Sequence, residues 1–223
     1  MADPDPLDIE LADLLSADPP TKGPVGVPAL LIRRARDFHE PLLGKRARFL
    51  MTSHSTEGDW LAHGWKDGLR IVSEVNDDPG GLDEPAVWVQ EERDYYGDTQ
   101  STNRFAVGRS RLWIEQYVSA PPPDTDIGRQ SWIENLNRDP NSPELRMMHH
   151  AEGHPDPVGA RVVVVGEVVE TDLRAVSPVR MTDNGELAIT VMAERDWYRW
   201  ARDYPAEPHP TLRWELAARV WVE

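Results

Sequence analysis

Apolar and polar positions alternate through most of this chain, and the pattern predicts a mostly β protein with short helices, of the α+β class. Strands are expected at residues 48–54, 69–75, 86–90, 105–118, 161–170, 187–192 and 212–222. Two turn signals separate them, Asn76-Asp77-Asp78-Pro79-Gly80-Gly81 and Asp183-Asn184-Gly185. Val162-Val163-Val164-Val165 is β-branched and continuous, as a strand buried on both faces should be. Helices are expected over 29–40, between Pro28 and Pro41, over 131–136, and over 142–150 with Ser142 as cap. A further one is expected over 197–202, where Asp196 stands near the start to cap exposed amides. Near the N-terminus, Leu7, Leu11, Leu14 and Leu15 fall at helical spacing among Asp8, Glu10 and Asp13. So short a helix is marginal alone and needs a surface to dock on.

The pattern also recurs within the chain. Glu92-Arg93-Asp94-Tyr95-Tyr96 returns as Glu194-Arg195-Asp196-Trp197-Tyr198, and Arg111-Leu112-Trp113-Ile114-Glu115 as Arg219-Val220-Trp221-Val222-Glu223. Ala47-Arg48 aligns with Ala160-Arg161, Val87-Trp88-Val89 with Ile189-Thr190-Val191, and Arg104-Phe105 with Arg213-Trp214. Matches in the same order read as an internal duplication of a small β-rich unit. Such units would pack as a pseudo-two-fold pair or as one composite barrel. The organisation expected is an acidic flexible tail over 1–27, a lead-in helix and first unit over 28–118, a Pro/His-rich connector over 119–158, and a second unit over 159–223.

Composition narrows the chemistry. The 223 residues carry a formal net charge of −15, which opposes general nucleic-acid binding. The absence of cysteine excludes disulfides, thiolate metal sites and cysteine nucleophiles. The start, Met1-Ala2-Asp3-Pro4-Asp5-Pro6, lacks the basic and apolar regions of a secretory signal, and no apolar run has membrane-spanning length. A cytoplasmic protein without a membrane partner is expected. The Arg, Ala, Pro and Val bias suits a GC-rich bacterial or phage genome.

Candidate sites follow. The recurring acids Glu92, Asp94, Glu194 and Asp196 suit metal binding or acid–base work, or else the fastening of each unit. Retention in both halves favours fastening. Trp113 and Trp221 read as core. His149, His150 and His154 are the metal candidates for a divalent ion, although Gly153 and Pro155 interrupt their helix and no fixed zinc spacing is present. Arg33, Arg34, Arg36, Lys45, Arg46 and Arg48 form a basic cluster for phosphate, for the chain's own acidic tail, or for solvent. Ser53-His54-Ser55 is a poor catalytic pair, because strand neighbours face opposite ways.

The function expected is a non-enzymatic interaction or accessory module that binds another protein. Its contact surfaces would be Leu7, Leu11, Leu14, Leu15 and the basic Arg33, Arg34, Arg36, Arg46 and Arg48, with no cofactor. The alternatives are a metal-dependent hydrolase using the His-rich connector and a nucleic-acid binder using the basic cluster.

Overall fold

The computed structural model describes residues 27–54, 60–76, 81–82, 84–97, 103–120, 144–203 and 211–223. Leu7, Leu11, Leu14 and Leu15, the rest of the acidic tail up to residue 26, and the helix expected over 131–136 lie outside them.

The fold is mostly β, in two sheets. The chain divides into two compact units, one of Leu31–Gln116 with Asp139–Glu144, the other of Met1–Leu30, Tyr117–Arg138 and Leu145–Glu223. The first sheet contains β1 (Val27–Arg34), β2 (Arg46–His54), β3 (Trp60–Ile71), β4 (Ala86–Glu91), β5 (Arg104–Gly108), β6 (Leu112–Ala120) and β7 (Glu144–Met147). Their spatial order is β5-β4-β3-β2-β6-β1-β7. The second contains β8 (His149–His150), β9 (Arg161–Val165), β10 (Val169–Ala175), β11 (Arg180–Met181), β12 (Leu187–Ala193), β13 (Arg213–Leu216) and β14 (Val220–Val222). Traced from β13 the order is β13-β12-β10-β9-β14-β8, and β11 also pairs with β12. Position for position this is the order β5-β4-β3-β2-β6-β1 of the first sheet. Helix α1 (Glu92–Tyr95) follows β4 directly, and α2 (Glu194–Asp203) follows β12.

Each unit has its own core on one sheet face. Ala47, Leu69, Ile71, Val87, Val89 and Ile114 pack together in one, and Val162, Val164, Ala175, Ile189, Val191 and Val222 in the other. Strand alternation puts these residues on one face and the intervening ones on the other. Val162, Val163 and Val164 are all buried, as the unbroken valine run demands.

Several expectations about the elements are corrected. Residues 29–40 are not a lead-in helix. Ala29, Leu30, Leu31 and Ile32 are at most 1% exposed and lie in β1, flanked by β6 and β7, and only Ala35–Asp37 turn, as a 3-10 helix. A short apolar run buried on all sides carries no periodicity that separates strand from helix. Residues 144–150 are likewise β7 and β8, followed by a 3-10 turn over Ala151–Gly153, so that part of the connector belongs to the sheets. The backbone N–H of Met148 donates to the carbonyl of Pro28 at 3.1 Å, a ladder-type contact that a helix would forgo. The strand expected over 161–170 is two strands, reversed at Gly166, Glu167 and Val168, and those expected over 105–118 and 212–222 are each split in two by a 3-10 turn, at Arg109–Arg111 and Ala217–Arg219. The Asp183-Asn184-Gly185 turn stands as read: it joins β11 to β12, with Gly185 at φ +80°.

Candidate functional site

The recurring motif is built around a buried carboxylate. In the first unit Glu92 opens α1 and is 1% exposed. Its Oε1 accepts a hydrogen bond from Arg46 Nε of β2 at 3.0 Å and forms an ion pair with Arg70 Nε of β3 at 3.2 Å. Arg70 Nη1 also donates to the carbonyl of Gly44 at 3.2 Å. In the second unit Glu194 opens α2 and is fully buried. It accepts hydrogen bonds from Arg161 Nε of β9 at 3.2 Å and Arg174 Nε of β10 at 2.8 Å. Arg174 Nη1 donates to the carbonyl of Gly159 at 2.8 Å and Nη2 to the Tyr198 hydroxyl at 2.9 Å.

The sequence folds this way for local reasons. A carboxylate in the first turn of a helix meets the exposed amides and the positive end of the helix dipole. Each arginine adds a charge-assisted bond, so one acid joins two neighbouring strands to the helix that follows a third. The aromatic residues of the motif complete the arrangement. Tyr95 lies against the turn at Gly44, and Trp197 against the turn at Gly159. Both glycines have positive φ, +77° and +80°, a backbone state that side chains disfavour. The guanidinium of Arg70 stands 5.3 Å from the ring centre of Tyr96, and that of Arg174 stands 5.3 Å from that of Tyr198. The Ser73 hydroxyl oxygen accepts the Trp88 N–H at 2.9 Å, and that of Ser177 accepts the Thr190 N–H at 2.9 Å.

This geometry revises the residue matches drawn from sequence. Arg46 corresponds to Arg161, because Arg46 pairs across from Glu115 and the Glu223 N–H donates to the carbonyl of Arg161. Phe105 corresponds to Arg213, because they pair with Val89 and Val191. Asp196 is the third residue of α2, inside the first turn rather than at the cap position. The partners Arg70 and Arg174 went unread. The signal for them was present: Leu69-Arg70-Ile71 returns as Leu173-Arg174-Ala175, on the strand that pairs with the one leading into each motif.

The expected basic surface is divided. Arg46 and Arg48 are each 4% exposed, which corrects their assignment to a contact surface. Arg48 forms an ion pair with Asp67 at 3.1 Å and stacks 4.1 Å from the Trp65 ring, which meets Trp113 edge-on at 4.7 Å. Arg34 lies over Trp113 at 5.1 Å, and Arg33 over Phe38 at 3.8 Å, where burial lowers its pKa below the ordinary arginine value. Arg36 is exposed beside Asp37 at 3.6 Å, and Lys45 pairs with Glu40 at 3.0 Å. Aromatic faces and neighbouring acids thus occupy most of these cations.

The histidines do not gather. His149 and His150 are successive residues of β8 and therefore face opposite ways. His150 stacks on Trp221 with ring centres 3.7 Å apart, at the β14 position paired with it. His154 follows the 3-10 turn, its N–H donating to the Ala151 carbonyl at 3.1 Å. Among the described residues no group of three His, Asp or Glu side chains is placed to hold a metal ion. Sequence reading also missed His63, whose Nε2 meets the Ser53 hydroxyl across the β2–β3 hairpin. A hydrolytic triad further needs an acid on the other ring nitrogen and donors for an oxyanion. The described residues show neither at this exposed pair. No helix among them is long and apolar enough to cross a membrane.

The chain matches no known family model, and neither curated proteins nor solved structures give a match.

Proposed function

We propose that this protein is a non-enzymatic interaction module on a duplicated β-rich scaffold, with its acidic N-terminal segment as a contact element for another protein. The observation that carries the reading is the engagement of Glu92 and Glu194 by two arginines each. The recurrent acids, which are the best candidates for chemistry in the sequence, are thereby tied to strand and helix positions rather than presented to a substrate. The corresponding strand order, the paired glycine turns and the paired Ser-to-backbone contacts support duplication of one unit. Burial withdraws Arg46 and Arg48 from the cluster that phosphate binding would use, which weakens the nucleic-acid alternative. His149 and His150, on opposite faces of β8, favour protein contact over metal-dependent hydrolysis.

The N-terminal role is testable without disturbing β1. A chain lacking residues 1–22 keeps its circular dichroism spectrum and denaturation midpoint but no longer captures a partner that the full chain captures. Loss of the folded spectrum on truncation would make the segment structural and overturn the reading.

A further inference from the structure

We propose that β13 is a self-association strand, through which two copies of this chain pair antiparallel about a two-fold axis at Trp214. The strand lies at an edge: β12 pairs along one side of it, and among the described residues no strand pairs along the other. An open edge offers unpaired backbone donors and acceptors to any extended segment. Folded chains usually blunt such an edge with charge or a covering element. This one carries Arg213 and Glu215 but also exposes Trp214 at 61% and Leu216 at 40%, with Leu212 just before the strand at 54%. Trp214 and Leu216 are two apart on one face of the strand, and Leu212 precedes them at the same spacing.

The residues themselves name the occupant. Leu212-Arg213-Trp214-Glu215-Leu216 reads apolar, basic, aromatic, acidic, apolar, which is self-complementary when reversed. With Trp214 opposite its own copy, Arg213 faces the copy's Glu215, and Leu212 faces the copy's Leu216. Aromatic, aliphatic and opposite-charge cross-strand pairs are each favourable. A two-fold pairing uses one patch twice, so each favourable contact outside the axis is made twice. Within one chain Arg213 Nε already meets Glu215 at 2.7 Å, so pairing would extend this ion pair into a ring of four charges. A four-residue edge strand is short by the standard of stable interfaces, so association belongs to the weak, micromolar class. The −15 charge of each chain opposes approach, but with a Debye length of ~8 Å at physiological salt, close contacts decide the register.

The test is sedimentation equilibrium of the full chain at physiological ionic strength, with circular dichroism as the folding control. A reversible dimer is expected, weakened about tenfold or more by Trp214→Lys. Arg213→Glu and Glu215→Arg are each expected to be monomeric alone, since each sets like charges face to face. An equimolar mixture of the two is expected to form a heterodimer, because every charge then meets its opposite. This rescue cannot arise from misfolding of either variant. A wild-type chain that stays monomeric at high concentration overturns the proposal, as does a dimer that all three variants leave intact. Binding of a foreign extended peptide to β13 in a monomeric wild type also overturns it, in favour of a different occupant.

Discussion

Residues of the same type play different parts in this protein, and burial separates them. Trp113 is 5% exposed, with Trp65 against its edge and Arg34 above it. Trp214 is 61% exposed on an edge strand. Trp113→Ala is therefore expected to destabilise by about 3–5 kcal/mol, and Trp214→Ala by no more than about 0.5 kcal/mol in the monomer. Urea denaturation midpoints compare the two directly. The arginines divide the same way. Arg46, Arg48 and Arg70 stay charged and buried because each has a carboxylate partner, whereas Arg36 is exposed on the surface. Arg213, bonded to Glu170 at 2.8 Å, has its pKa raised by that hydrogen bond and remains a cation at every pH a cell experiences. The sequence shows which residues are charged. It does not show which strands meet, and that decides whether a charge is inside.

At the scale of elements, legibility followed sharp boundaries. β4, after Pro85, and β12, after the Asp183-Asn184-Gly185 turn, were read within a residue of their observed ends. β1 was misread as a helix because Ala29-Leu30-Leu31-Ile32 is apolar throughout and bounded by prolines, signals that a buried strand and a buried helix share. β7 and β8 were misread because Ser142-Pro143 imitates a helix start, while the contacts that make these residues extended come from segments distant in sequence. The motif was legible as structural, but its mechanism was not, since Arg70 and Arg174 reach their glutamates only when β3 and β10 lie beside β2 and β9. The glycine turns that orient those arginines allow a test. Gly44→Ala and Gly159→Ala force a side chain into positive φ and are expected to cost about 1–3 kcal/mol each. Gly153→Ala, in a turn with negative φ and open space at its Cβ position, is expected to stay within about 0.5 kcal/mol of the parent. Guanidinium titrations of the three variants resolve the difference.

At the scale of the whole molecule, Glu92 and Glu194 are fasteners, each tying two strands to the helix that follows a third. Each holds arginines from two strands that sequence separates from it, so each closes its own unit around a core of modest size. Removing one member of a buried ion cluster leaves its partners charged and unpaired, which costs about 3–5 kcal/mol. The most direct measurement is equilibrium urea unfolding of Glu92→Gln and Glu194→Gln beside Asp94→Asn and Asp196→Asn. Both glutamine variants are expected to lose about 3 kcal/mol or more, by similar amounts, while both asparagine variants stay within about 0.5 kcal/mol of the parent. Glutamine variants that unfold at the parental midpoint would contradict the fastening role, and so would a large loss at Glu194 with none at Glu92.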